Sequence, residues 1–321
     1  MPSKREDNSA FERDVLAGLS MTPKRLSSRY FYDDEGSRLF QEIMALPEYY
    51  LTGCETEIFT EQTNAIVERF LAAGTNVNIV ELGAGDGSKT AILLKSLLQR
   101  SASIKYSPID ISEEAITELA GNFRTALPQL TVEPHVGDYF AILDSLQKAT
   151  NRRKIILFLG SNIGNFSANA TKKFFASLRA VMNEDDLLFI GFDLQKDPRV
   201  IHQAYDDAAG VTARFNLNLL ERINRELGGN FIKENFLHYA NYRPIEGSAR
   251  SYLISRENQT VEVAGQRFEF DRWEPIYMEI SQKYTLPMID DFAREAGFRI
   301  VKNFFDSREY YCDSLWRSEP R

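Results

Sequence analysis

Asn76-Val-Asn-Ile-Val-Glu-Leu-Gly-Ala-Gly-Asp-Gly87 is the stretch whose reading decides the fold of this 321-residue chain. An apolar strand runs into an acidic residue, Glu81, and then into a turn carrying Gly83, Gly85 and Gly87. Glycines at such a turn let the backbone take positive φ and let a ligand come close to main-chain N–H groups. The segment that follows, residues 88–100, sets Ile92, Leu93, Leu94, Leu97 and Leu98 against Lys95, Ser96, Gln99 and Arg100, the pattern of an amphipathic helix. Strand, glycine turn and helix together specify a nucleotide-type ligand site at the edge of a parallel sheet.

The residues of the turn also narrow the ligand. The dinucleotide fingerprint G-x-G-x-x-G needs glycine at position 88, where Ser88 stands. A nicotinamide-dependent oxidoreductase therefore loses its main support, and no hydride-handling residue replaces it. A pyrophosphate is also repelled by the acid ahead of the turn, Glu81. S-adenosylmethionine (SAM) carries a cationic sulfonium and an ammonium and no phosphate, so an acidic glycine turn suits it better. Tyr106-Ser-Pro-Ile-Asp-Ile111 reads as a second strand, with Asp110 near its end placed to accept from two ribose hydroxyls. Val136-Gly-Asp-Tyr-Phe140 puts Asp138 after a third short strand, where methyltransferases often contact the adenine amine. Taken alone the glycine turn is equally an ordinary βα connection. Acids at successive strand ends favour the SAM site.

Composition limits the remaining classes. A net charge of −8 argues against nucleic acid and anionic membrane as partners, since both want a basic face. No segment approaches the roughly 20 apolar residues that span a bilayer. Cys54 and Cys312 have no metal-ligand spacing, and His135, His202 and His238 are scattered singly, so no metal is expected. The N-terminus is charged and lacks an apolar signal core, and two lone thiols fit a cytoplasmic protein. Without an obvious apolar patch, a monomer is expected.

Along the chain, Ser9-Ala-Phe-Glu12 reads as a capping box opening a short helix that runs to Leu19. From Asn76 to Phe192 strand and helix alternate, with near-continuous apolar runs at 154–159 and 187–192 fitting strands buried on both faces. Residues 167–182 form the helix between them. After Asp193 the pattern changes: 200–227 reads as one helix, followed by strand-like runs at 251–254, 260–263, 268–270 and 276–284. In the last run Ile276, Met278 and Ile280 alternate with Tyr277, Glu279 and Ser281. A helix over 288–296 and strands over 299–305 and 310–316 match a sheet finished by an antiparallel hairpin. The expected architecture is α/β: a Rossmann-like class I SAM-dependent methyltransferase sheet with an antiparallel C-terminal strand, plus a smaller α+β substrate-binding lobe. The expected layout places residues 1–60 in the substrate lobe, 61–196 in the methyltransferase core, 197–283 in a substrate-binding insertion and 284–321 in the end of the core.

Gly160-Ser-Asn-Ile-Gly-Asn-Phe166 follows the fourth strand, where open α/β sheets present substrate-handling groups. Asn162 and Asn165 there are able to donate to a carboxylate or accept from an amine. The Asn/Asp-Pro-Pro-aromatic tetrapeptide of nucleic-acid base methylation is missing.

Several stretches together resemble the histidine Nα-methyltransferases of ergothioneine biosynthesis. They are Phe31-Tyr-Asp33, Pro47-Glu-Tyr-Tyr50, Glu81-Leu-Gly-Ala-Gly85, Phe158-Leu-Gly-Ser-Asn-Ile-Gly-Asn165, and Ala204-Tyr-Asp-Asp-Ala-Ala-Gly-Val-Thr212 with Phe215-Asn216. The resemblance runs from about Leu19 to Trp316. It implies a SAM-dependent enzyme that trimethylates the α-amino group of L-histidine to hercynine. Carried over by position, Asn165 and Tyr205 resemble the clamp on the substrate carboxylate and amine, Tyr49 the tyrosine beside the amine, and Phe40 a pocket wall. Tyr32, Gly83, Gly85, Lys89, Asp110 and Asp138 resemble the SAM contacts. Glu279 and Ser281 match the pair that hydrogen-bonds the imidazole. Strand alternation supports that pairing, because it puts both side chains on one face roughly 7 Å apart. Two positions depart from the family: Ser251 stands where relatives often carry methionine, and Asn162 where they have threonine. A methyltransferase for another amino acid or small amine is therefore the alternative, with a non-catalytic SAM-binding protein behind it.

Overall fold

The computed structural model describes residues 4–100, 103–137, 139–149 and 152–319. The chain runs through α1 (Lys4–Leu19), α2 (Asp34–Met44), α3 (Tyr50–Glu61), α4 (Thr63–Leu71), β1 (Asn76–Leu82), α5 (Thr90–Gln99), β2 (Ser103–Asp110), α6 (Glu113–Ala126), β3 (Thr131–Val132), β4 (His135–Val136), α7 (Tyr139–Ala149), β5 (Arg153–Phe158), α8 (Ala168–Val181) and β6 (Leu187–Asp193). It continues through α9 (Pro198–Tyr205), α10 (Val211–Leu227), β7 (Phe236–Arg243), β8 (Ser248–Ser255), β9 (Gln259–Val263), β10 (Gln266–Phe270), β11 (Pro275–Gln282), α11 (Leu286–Glu295), β12 (Phe298–Phe305) and β13 (Tyr311–Ser318). These elements form two units, one of Met1–Tyr50 with Lys196–Gln282 and one of Leu51–Gln195 with Lys283–Arg321.

The second unit is built on a sheet of order β12-β13-β6-β5-β1-β2-β3, with β4 also pairing β2. The β5 and β6 runs are parallel neighbours buried on both faces, as their continuous apolar sequences require. β13 runs antiparallel to both β6 and β12, giving the expected C-terminal hairpin. Helix starts are set by side-chain caps: Ser112 accepts from Ala115 N–H at 3.1 Å and Ser167 from Ala170 N–H at 3.3 Å. The division between units falls at Tyr50 rather than near residue 60. The reason is that Leu51, Cys54, Glu55, Ile58 and Phe59 form one buried face of α3, and the Phe59 ring stacks on Phe189 of β6 at 5.9 Å.

Glu81 does not face a ligand, contrary to the charge argument made from the sequence. Its carboxyl group is buried at the end of β1, where Thr90 Oγ1 donates to it at 2.6 Å and Tyr106 OH donates to the other oxygen. Burial pushes its pKa up to about 7, and the two hydroxyl donors only partly counter this. Among the described residues of this unit, Lys154–Asp186 and Lys283–Asp193 are ion pairs with both side chains fully buried, each with Nζ–Oδ2 at 2.7 Å.

In the first unit, β11, β8 and β7 make an antiparallel sheet and β9 with β10 a hairpin. Its core gathers Phe11, Val15 and Leu19 of α1, Leu39 and Ile43 of α2, Phe215, Leu219 and Ile223 of α10, and Leu253, Ile276 and Met278 from the strands. Asp33 caps α2 by accepting from Gly36 N–H at 2.8 Å, and it also accepts from Asn218 of α10 at 2.7 Å. Three local readings change. Ser9 lies inside α1, which already starts at Lys4. The single helix expected over 200–227 is broken, because Asp207 accepts from the N–H groups of Val211 and Thr212 at 2.8 Å and Gly210 takes φ +67°. β7 went unread, since its outward side chains include Leu237 and Tyr239 and blur the alternation.

Two outcomes test this account. Lys283→Met should cost about 3–5 kcal/mol in chemical denaturation by leaving Asp193 buried without its counter-charge, and adding Asp193→Leu should recover most of it. Glu81, raised from an ordinary 4.5 to about 7, is a proton acceptor that the folded state protonates first. Its contribution is complete below pH 4.5 and is lost as pH rises through 7, on the order of 3 kcal/mol. Glu81→Gln should remove that fall from the stability–pH curve; an unchanged slope would contradict it.

Candidate active site

In the sheet unit, the strand register brings the carboxyl ends of β1, β2 and β5 level, with Glu81 opposite Pro108 and Leu157. The glycine turn leaves β1 here. Gly83 N–H donates to Ile109 O at 2.8 Å, and Gly85 N–H donates to Asp110 Oδ2 at 3.3 Å. The other Asp110 oxygen accepts from Ser112 N–H at 3.0 Å, so the carboxylate is oriented entirely by backbone donors. Gly85 takes φ +53° and has no neighbour within 4 Å of where a Cβ would stand, so its backbone is open to a ligand. At Gly87 a Cβ would come within 2.7 Å of the Phe123 ring, so only glycine lets the turn lie on α6.

The second loop of the site comes from the end of β5. Ser161 takes a left-handed φ of 56° and starts the 3₁₀ turn Asn162–Asn165, and its Oγ accepts from Asp193 N–H at 3.0 Å. A Cβ at Gly83 would stand 3.1 Å from Tyr139 OH and 3.4 Å from Asn162 Nδ2, so the two turns abut. Lys89 is paired with Glu55 of α3. Burial lowers the Lys89 pKa, but attraction to Glu55 outweighs it and holds the ammonium above its ordinary value. A cation already neutralised inside the protein is a poor phosphate holder. The Asp110 carboxylate, an acceptor, instead suits the ribose hydroxyls of phosphate-free SAM. Asp138 lies outside the described residues.

The other expected side chains gather in the first unit. Tyr32 meets Phe40 and Phe215 edge-on at 5.4 and 5.6 Å, Phe40 meets Tyr49 at 6.2 Å, and Tyr49 meets Tyr205 at 6.5 Å. Tyr205, at the end of α9, donates its hydroxyl to Ser281 Oγ at 2.8 Å. β11 does not alternate throughout, as the sequence suggested. Tyr277 pairs with Tyr252 but Glu279 pairs with Ser251, so Met278 is the extra residue of a β-bulge. Ile276 ahead of it and Met278 within it are both buried, and the bulge then returns Glu279 to the face of Leu253 and Ser251. Two rows cross this sheet face: Ala240, Ser251 and Glu279, then Tyr242, Ala249 and Ser281. Glu279, Ser281, Ser251 and Tyr205 thus belong to one cluster. Asn165 and Tyr205, read as one clamp, fall in different units, and so do Tyr32 and the glycine turn.

Glu55 was missed in the sequence. The available signal was its place at the i, i+4 spacing of the apolar stripe Leu51, Cys54, Ile58 and Phe59. No group of three metal-ligating side chains occurs among the described residues, and none of their helices is long and apolar enough to cross a membrane.

The chain is similar to known proteins along nearly its whole length. Residues 11–318 match the family model described as histidine-specific methyltransferase, SAM-dependent. The chain is 33% identical to histidine N-alpha-methyltransferase of Mycobacterium tuberculosis, over 92% of this chain and 91% of that one. It is 35% identical to the enzyme of the same name from Mycolicibacterium smegmatis, covering 90% and 89%. It is 28% identical to ergothioneine biosynthesis protein 1 of Schizosaccharomyces pombe, covering 87% of this chain and 37% of that longer one. With a family model matched along nearly its whole length, the chain belongs to the histidine-specific, SAM-dependent methyltransferases.

Proposed function

We propose that the chain methylates the α-amino group of L-histidine three times to give hercynine, the chemistry that feeds ergothioneine synthesis. The observation that carries this reading is the sheet face on which the bulge places Glu279 opposite Ser251 and two residues from Ser281. An imidazole presents one N–H and one unprotonated nitrogen in its neutral form. Glu279 accepts from the N–H. Ser281 Oγ accepts from Tyr205, and a serine hydroxyl can also donate to the unprotonated nitrogen.

SAM supplies an electrophilic methyl group on a sulfonium. The residues proposed to hold it in the sheet unit are Gly83, Gly85, Lys89, Asp110 and Asp138; Tyr32 carries a donor role only by the family resemblance. For the acceptor, the resemblance assigns the carboxylate and amine to Asn165 and Tyr205, a further substrate contact to Asn162 and a pocket wall to Phe40. Tyr49 takes an N–H of the amine and passes its proton to solvent, since only the neutral amine has a lone pair to offer. Positioning that lone pair is the main contribution of the protein. The faces of Tyr32 and Tyr49 tolerate the quaternary charge of the product by cation–π attraction.

The second reading, methylation of a different amino acid, rests on Ser251 and Asn162. Ser251 is buried and directly opposite Glu279, so it replaces a long apolar side chain by a small hydroxyl beside the ring. Mass analysis after incubation with SAM and each amino acid separates the two. The expected product is histidine carrying three increments of about 14 Da, one per methyl group; labelling of another amino acid with histidine unchanged would select the second reading. Glu279→Ala should raise KM for histidine by roughly 10- to 100-fold, the value of a charged hydrogen bond, and leave KM for SAM within about twofold. Equal rises in both would remove Glu279 from the acceptor site.

A further inference from the structure

We propose that Glu55 is the positioning residue of the methyl-donor site: one buried carboxylate of α3 fixes both Lys89, which follows the glycine turn, and Gly160, which opens the Asn162–Asn165 turn. This rests on the reading of the Gly83–Gly87 turn as the donor site. Glu55 is fully buried. Its Oε1 accepts from Gly160 N–H at 2.8 Å and from Tyr311 OH at 2.9 Å, and its Oε2 is paired with Lys89. Each partner comes from a different part of the sheet unit: the loop after β5, the start of β13 and the approach to α5.

The surrounding sequence is arranged to admit this carboxylate. Gly191 lies in the interior of β6, where glycine normally weakens a strand. A Cβ there would stand 2.2 Å from Tyr311 OH and 2.6 Å from Glu55 Oε1. The glycine is the space that the carboxylate and phenol occupy. Asp313, also buried, is pushed well above the usual carboxylate range by burial and then by the charge of Glu55. Lys89 is the counter-ion of Glu55. A buried charge that keeps one partner and two neutral donors has a single low-energy placement. Lys89 and the Gly160 N–H therefore inherit a fixed position relative to Gly83 and Asn162, which already abut.

Steady-state kinetics and calorimetric titration with S-adenosylhomocysteine test the role. Glu55→Gln keeps an acceptor oxygen for Gly160 and Tyr311 but discards the charge that holds Lys89. It should weaken S-adenosylhomocysteine binding and raise KM for SAM by about tenfold or more, with KM for histidine within about twofold. Glu55→Asp keeps the charge and should recover most of the donor affinity. Donor affinity unchanged in Glu55→Gln, or a uniform loss in kcat and both KM values that tracks a lowered Tm, would overturn the proposal. Should Glu55→Gln fail to fold, Tyr311→Phe removes one donor to Oε1 without changing charge and must raise KM for SAM severalfold. Wild-type behaviour there would also overturn it. Failure of the wild-type protein to bind S-adenosylhomocysteine would instead sink the donor-site reading itself.

Discussion

The Lys283–Asp193 pair is the interaction on which the layout of this chain depends. Both side chains are fully buried, with Nζ–Oδ2 at 2.7 Å. Two charges removed from water are tolerated only when each meets the other in good geometry. These two stand where the chain leaves β6 and where it returns ahead of α11 after residues 196–282. Backbone bonds close the same junction: Tyr284 N–H donates to Asp193 O at 2.8 Å and Gln195 N–H to Tyr284 O at 2.9 Å. An entire lobe is thereby inserted between two consecutive parts of a methyltransferase sheet without disturbing it. β13 still pairs with β6 from Tyr311–Asp193 to Arg317–Leu187. The junction also serves the site, because the backbone N–H of Asp193 holds Ser161, the left-handed residue that opens the Asn162–Asn165 turn.

Charge at the carboxyl end of the sheet follows from burial more than from sequence. Glu81, Glu55 and Asp313 look alike as acidic residues but have different fates. Glu81 is raised to about 7 by desolvation, Asp313 is pushed well above the usual carboxylate range by burial, and Glu55 is matched by Lys89. The acid oriented toward the glycine turn is Asp110, held by two backbone N–H groups. The sequence argument for a cationic, phosphate-free ligand thus reached the family shown by the comparisons through a residue, Glu81, that plays a structural part. Asp110 and the paired Lys89 carry that argument in the folded protein.

What was legible in the sequence was what local periodicity determines. Continuous apolar runs at β5 and β6, the glycine turn after β1 and the closing hairpin all follow from residues within a single element, and each formed as read. The features that escaped are set by contacts between distant residues. The break between α9 and α10 depends on whether Asp207 caps the next helix or points to solvent. The bulge at Met278 depends on the pairing of β11 with β8, which no pattern within β11 encodes. Glu55 meets Gly160 and Tyr311, 105 and 256 residues away. An acidic side chain on an apolar stripe is a local signal, but its partners are not.

The bulge at Met278 also explains how one strand serves a core and a polar sheet face. Strict alternation from Ile276 would put Ile276, Met278 and Ile280 on one face and send Glu279 and Ser281 to the other, away from Leu253 and Ser251. One extra residue lets Ile276 and Met278 stay buried in the apolar core while Glu279 and Ser281 join the same sheet face two rows on. The polar pairing on this face is therefore fixed by register. Ser251 faces Glu279 because Tyr277 pairs with Tyr252 and the next pairing skips Met278. A small hydroxyl opposite a carboxylate leaves that end of the face polar and uncrowded, where a methionine would be apolar and filled. The polarity at this position is thus a property of the pair Ser251–Glu279 rather than of either residue, and the bulge is what makes them a pair.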